Sequence, residues 1–523
     1  MANDKGFDRY KSWRAVDVVR GVFVFFMAGL FPIVFNNMYF DITGTRAKTF
    51  IWAGLIFILA MAVAVFLELM LYKYYLVEDD WFYMDSKIAA MPEFWAGLFL
   101  LANIFSFIFA DDKENAWTGA TGRGFGLGMV IVLILCFVCL AREFEFDNLF
   151  FYVTAFIMIA AVTMAVLQHF KIDVAGFREN IKAADKEKFI SFFGNMNTYG
   201  SYLATFIPVF VAAFVFSDKK FTKIIAGITI FVSALGVVPA KSDNVYLGAA
   251  VSFMLIFYLA VLAKRFLDFL YSMVIFMAGL SLISYLTVKF SGSKRAINGI
   301  AGFLRNETLL GVVLIAMVVI CLVFTLFYYK KKDLFLKVQG KKTLIIITIT
   351  FVVIGIVGII LGVNSSHTQI FKFDDEWGTY RGFIWKRSWR AFKAGNLIEK
   401  LFGYGNDSLL PVMKRMFYDD MIAATGKVYD NAHNEPLQFL VTTGIFGMVS
   451  YIGLYVSSFI YVMKRAKNDV VAISLFAGAT GYIACGLVYL NQPITTPFYF
   501  VLLALAIGRI RYRDQGFGEF RSR

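Results

Sequence analysis

Apolar runs of about twenty residues, joined by short polar connections, repeat along almost the whole chain. A helix needs roughly 20 mostly apolar residues to cross the hydrocarbon core of a bilayer. That length picks out fourteen stretches: 16–36, 49–72, 93–110, 125–141, 149–169, 197–217, 224–240, 245–263, 268–288, 308–329, 343–363, 437–462, 470–489 and 494–510. The 224–240 stretch is short and the last one is broken by Pro493 and Pro497, so twelve to fourteen spans are expected. The pattern predicts an all-α, polytopic integral membrane protein. It divides into a bundle at 1–363, a large loop at 364–436, C-terminal helices at 437–510 and a basic tail at 511–523.

The 364–436 loop is the one long polar segment, and a loop of that length usually carries function. Residues 379–393 have helical spacing. Ile384, Trp385, Trp389 and Phe392 form an apolar stripe, and Lys386, Arg387, Arg390 and Lys393 lie mostly opposite, a pattern suited to the membrane interface. Arg381 is not explained that way, because it sits in the first turn after Gly378. A second amphipathic helix is predicted at about 407–424, after a turn in which Gly403 and Gly405 serve the backbone.

Composition fits this picture. Of 523 residues, 59% are hydrophobic and 17% charged, against about 25% charged in soluble domains. The first residues are polar and basic and the first apolar run is long, which argues against a cleaved signal peptide. Cys136, Cys139, Cys321 and Cys485 all fall in apolar stretches and read as packing residues, not disulfide or zinc partners. The net charge of +14 is read as serving orientation and anionic headgroups, with no nucleic-acid partner expected. Basic clusters recur in alternate connections, among them Lys219–Lys220, Lys264–Arg265, Lys330–Lys332 and Lys464–Arg465. They place both termini in the cytoplasm and the large loop outside. The outer loops still hold many cations, ten in 364–436 and five in 171–193, and an anionic ligand on that face is one explanation.

His433 is followed by Asn434, Glu435 and Pro436, a helix start in which Asn434 is the cap and Pro436 lies in the first turn. The positive end of such a helix favours phosphate, and an imidazole there can take or give a proton. Lys241 lies in the very short turn 240–244, where a charge near membrane depth tends to be functional. Upstream, the 171–193 loop enters a helix through GNMNTYG, with Asn197 or Thr198 as the expected cap. No metal-ligand spacing, P-loop or GxSxG is present; Asp374, Asp375 and Glu376 read as a solvated face, and no metal or other cofactor is expected.

Taken in order, GNMNTYGSYL, Lys241-Ser242, Arg381 with Trp385, FGYGN and AHNEPLQFLVTTGIFG resemble the O-antigen ligase and O-antigen polymerase family over roughly 190–460. The resemblance implies a GT-C-like membrane glycosyltransferase of the bacterial cytoplasmic (inner) membrane. Such an enzyme moves a glycan from an undecaprenyl diphosphate carrier to an acceptor hydroxyl on the outer face, without a metal. It implies His433 as base or key acceptor-site residue and Arg381 as diphosphate ligand. Where the family carries Ser-Arg in the short outer turn, this chain has Lys241, which keeps the charge but not the two-pronged fork. Lys241, Asn434, Arg387, Arg390 and Asn197 are the expected substrate-binding residues. The expected partners are a polyprenyl-diphosphate-linked oligosaccharide, a glycan, lipid or protein acceptor, and the bilayer. A repeat-unit polymerase is favoured over a ligase. The rival reading is a lipid-linked oligosaccharide flippase or other transporter, which would be expected to show internal repeats and interrupted helices. A peptidoglycan polymerase, with Asp374 or Asp375 as the acidic residue, is a third.

Overall fold

The computed structural model of the chain describes residues 15–71, 91–145, 147–183, 185–290, 306–350, 373–467 and 469–514. They form an all-helical, multi-pass membrane protein. Its only strands among the described residues are the two-residue pair Phe189–Ile190 and Gly194–Asn195. Nine described helices are long and apolar enough to cross a membrane, from Ala15–Ile33 to Gly444–Arg465. Shorter apolar helices, Leu127–Leu140, Lys220–Leu235, Val470–Gly486 and Thr496–Tyr512, occupy four of the remaining expected spans. The 343–363 span is helical as far as residue 350, and its remainder, with the loop start 364–372 and His367, lies outside the described residues.

Boundaries differ from the expected ones where glycine and proline act. The 224–240 stretch ends as a long helix at Leu235 and resumes as the short turn Val237–Ala240. The 437–462 stretch divides into Glu435–Thr442 and Gly444–Arg465, because Gly444 takes a left-handed φ of 70°. Pro497 does not break the last helix but lies in its first turn, where the missing N–H costs nothing.

Met196–Phe216 is the central helix, with 94% of its most apolar window buried, against 11% for the peripheral Glu307–Lys330. It packs against Val470–Gly486, Asp243–Leu262 and Lys220–Leu235. Pro208 lacks the N–H that would bond the Ala204 carbonyl. That carbonyl faces Gly481, where a Cβ would lie 2.0 Å from the oxygen, and a Cβ on Gly248 would lie 2.6 Å from the Gly481 carbonyl. Three helices thus meet backbone to backbone, as small residues allow in a membrane. A second such accommodation lies in the first span, which unwinds through Phe26–Leu30 and Phe31–Ile33. The fully buried Arg46 donates to the exposed carbonyls of Phe31, Pro32 and Val34 and bridges to Phe192 at 3.0 Å.

The large loop has its own apolar core of Phe383, Ile384, Ala391, Leu409, Val412, Met413, Met421 and Ala432. Its helices are Trp377–Ala394, Leu397–Phe402 and Leu409–Thr425. The Gly403–Asn406 turn docks this unit on the bundle: Tyr404 and Gly405 N–H groups donate to Val441 and Thr442 carbonyls at 3.1 Å, and Asn406 donates to Asn103 at 2.6 Å.

Gly481→Ala is expected to destabilise the folded protein by ~1–3 kcal/mol through overpacking. Gly311→Ala, where a Cβ meets nothing within 4 Å, is expected to be neutral or stabilising. Thermal unfolding of both variants in detergent checks the pair, and equal behaviour would contradict the close approach.

Candidate functional site

The segment Asp430–Asn434 is fixed residue by residue. Asn431 uses its side-chain oxygen to accept the His433 backbone N–H at 2.8 Å. Ala432 donates its N–H to Gln438 at 3.0 Å and accepts from the Trp385 indole at 3.0 Å. Asn434 caps Glu435–Thr442 by accepting the Leu437 N–H at 2.8 Å, and its amide donates to the Leu487 carbonyl at 2.9 Å. Glu435, buried, receives the hydroxyls of Tyr451 and Tyr482 and pins the helix start between spans. His433 itself adopts a left-handed φ of 50°, an uncommon conformation for a non-glycine residue.

This geometry sets the tautomer of His433. Nδ1 lies 3.1 Å from the Asn431 carbonyl. A carbonyl only accepts, so Nδ1 carries the hydrogen and Nε2 keeps its lone pair. Burial pushes the imidazole pKa down from 6.5 to about 4, and the positive charges of Arg381 and Arg123 push the same way. At neutral pH the ring is therefore uncharged and Nε2 is a proton acceptor.

Arg381 enters the site from a strained turn. Gly378, Thr379 and Tyr380 take φ of 59°, 59° and 69°, and the helix proper starts at Arg381. Its Nη1 donates to the Gly378 carbonyl at 3.1 Å. Its Nε is buried and has no hydrogen-bond partner among the described residues. Burial lowers the guanidinium pKa, and Asp243, Cys485 and Tyr489 act against that shift. A partly desolvated cation with an unused donor suits an anionic ligand.

The other expected binding residues fall into two groups. Lys241, at φ 46°, pairs with Glu187 at 3.0 Å. Asn197 accepts from the Ser242 hydroxyl at 2.6 Å, and its carbonyl accepts from Asn244 at 2.9 Å. These contacts tie the 187–197 and 241–244 turns together beside Asp243. Neither Asn197 nor Thr198 caps the helix: Asn195 does so, accepting the Asn197 N–H at 2.8 Å, while Thr198 bonds Tyr489 at 2.9 Å.

Arg387 and Arg390 belong to the loop helix but are used differently. Arg387 pairs with Asp375 at 2.7 Å and lies 3.9 Å over the Phe383 ring, while Arg390 is exposed. Lys386 takes the other Asp375 oxygen at 2.9 Å; that bond above all, with Arg387, holds the carboxyl below its usual range. The apolar stripe is not presented whole to a membrane: Ile384 lies in the loop core and Trp385 holds Ala432, leaving Trp389 exposed. Of the acidic run, Asp375 thus meets cations of the helix that follows it. Among the described residues no cluster of three or more His, Cys, Asp or Glu could hold a metal.

Three residues escaped the sequence reading. Asp407, at φ 52°, buries its carboxylate against the 119–126 turn, where it accepts the N–H groups of Arg123 at 2.6 Å and Phe125 at 3.1 Å. Burial pushes its pKa up to about 7 despite those two bonds. Arg123 in turn donates from Nη2 to Asp430 at 2.9 Å, three residues before His433. The available signal was the glycine-rich run Gly119–Gly126, which marks a turn needing space rather than a plain loop.

Residues 300–452 match the sequence family described as O-antigen ligase. No curated protein matches the chain. The matched segment contains Arg381, the Gly403–Gly405 turn, His433 and Asn434, and leaves out Arg123, Asn197 and Lys241. The chain thus carries a segment of the O-antigen ligase family, set on an all-helical membrane bundle.

Proposed function

We propose that the protein is a metal-independent membrane glycosyltransferase of surface-glycan assembly. It takes a glycan from undecaprenyl diphosphate and passes it to an acceptor hydroxyl on the outer face of the bacterial cytoplasmic membrane. Repeat-unit polymerisation is the favoured outcome, with a second lipid-linked oligosaccharide as acceptor. The observation that carries the reading is the neutral His433, with Nδ1 bound to the Asn431 carbonyl, under the electrostatic influence of the half-buried Arg381, whose buried Nε has no partner among the described residues.

The chemistry follows from these groups. The acceptor oxygen forms a bond to the anomeric carbon of the donor glycan while the bond from that carbon to the phosphate oxygen breaks. The electron pair leaves with the lipid diphosphate, and the hydroxyl proton goes to Nε2 of His433. Arg381 stabilises the charge that grows on the diphosphate. The carrier supplies the activated bond, so no nucleotide site is required. Lys241 and Asn197 shape the neighbouring turn, and Asn434 holds the His433 segment on the bundle.

The test is a proteoliposome assay with an undecaprenyl-diphosphate-linked oligosaccharide, in which product length is read on a gel. Wild type is expected to give a ladder, and His433→Ala to lose ~10²–10⁴-fold in rate while remaining folded. Transfer only to an added lipid, peptidoglycan or protein acceptor would replace polymerase by ligase. Lipid translocation without transfer would replace both by a transporter.

The pH profile gives a second expectation. A base must be unprotonated to act, so kcat/KM for wild type is expected to stay level through mildly acidic pH and to fall as pH drops through about 4. In Arg381→Met one cation beside His433 is gone. The acid limb is expected to move to higher pH yet stay below 6.5, because burial is the larger cause. An unmoved limb would contradict the coupling between the two residues.

A further inference from the structure

The 119–126 turn lies outside the family-matched segment, in the N-terminal part of the chain. It is built with unusual care. The Asp407 carboxylate enters it, and a Cβ on Gly119 or Gly122 would come within 2.8 Å or 2.6 Å of that group. Gly119 also needs its left-handed φ of 69°. Asn115 reaches across to the Asp407 carbonyl at 3.3 Å. Burying a carboxylate is costly unless its bonds are made, and here it is spent on fixing the backbone at Arg123 and Phe125.

What that turn presents is the Arg123 guanidinium. Nη2 donates to Asp430 Oδ1 at 2.9 Å, and Nε lies 2.9 Å from Oδ2. Asp430 begins the segment that ends in His433. The side chain of Arg123 is 37% exposed, unlike Arg46, whose donors are taken up by backbone carbonyls in the bundle. A diphosphate carries more charge than one guanidinium can balance, and arginine offers it a two-pronged fork.

We propose that Arg123 is a further substrate-binding residue, which with Arg381 forms the cationic pair that grips the diphosphate of the lipid-linked donor. Asp430 holds the guanidinium in position and competes with the phosphate for it. Asp407 is the positioning residue that keeps the turn in place. This rests on the glycan-transfer reading above, and it gives the N-terminal part of the chain a direct share in the site.

The test measures binding of undecaprenyl diphosphate, without glycan, to the full-length protein in nanodiscs. Arg123→Gln is expected to weaken binding by about tenfold to a hundredfold, the range for a hydrogen bond to a charged group. Arg123→Lys is expected to recover part of it. Asp430→Asn frees the guanidinium and is expected to bind at least as tightly as wild type. A purely structural ion pair predicts the opposite, with Asp430→Asn as damaging as Arg123→Gln. That result, or wild-type affinity in Arg123→Gln, overturns the proposal while leaving the transfer reading intact. No binding by wild type overturns both.

Discussion

Inside hydrocarbon a backbone N–H or carbonyl without a partner costs several kcal/mol, so a spanning chain stays helical unless the protein itself supplies the missing bonds. Two departures from regular helix among the described residues have such an answer. The unwound end of the first span is met by Arg46. The irregular backbone around His433 is answered by Asn431, Asn434, Gln438 and Trp385.

The same constraint shapes the electrostatics of the site. Away from water, charges interact strongly and cannot be screened. Arg381 is half-buried with its Nε donor unused among the described residues, and the imidazole it influences stays neutral. Left-handed, non-glycine backbone recurs at these positions: Lys241, Thr379, Tyr380, Asp407 and His433. Such conformations cost of order 1–3 kcal/mol and persist where surrounding contacts enforce them. Those contacts come from distant parts of the chain, Arg123 with Asp430 and Asp407 with the 119–126 turn.

Much of this was legible in the sequence. The spans follow from the length of apolar runs, and Asn434 and Pro436 announce the helix after His433. Arg381 stood out because it fell outside the amphipathic stripe. What stayed hidden depends on partners far apart in sequence. Asp407 looks like an ordinary loop acid until it is seen in the glycine turn 282–284 residues away. Arg387, expected to bind substrate, pairs with Asp375 in the fold. The stripe of Ile384 and Trp385 has the periodicity of a membrane-surface helix, and periodicity alone does not distinguish lipid from the loop's own core.

On the proposed mechanism His433 is a neutral base with Nε2 as its acceptor. The chain has only three histidines, so ¹⁵N NMR of histidine-labelled protein in nanodiscs, assigned with His433→Gln, reads it directly. At neutral pH the His433 Nδ1 is expected to bear the hydrogen and Nε2 to lack it. An imidazolium, or a hydrogen on Nε2 with Nδ1 bare, would contradict it.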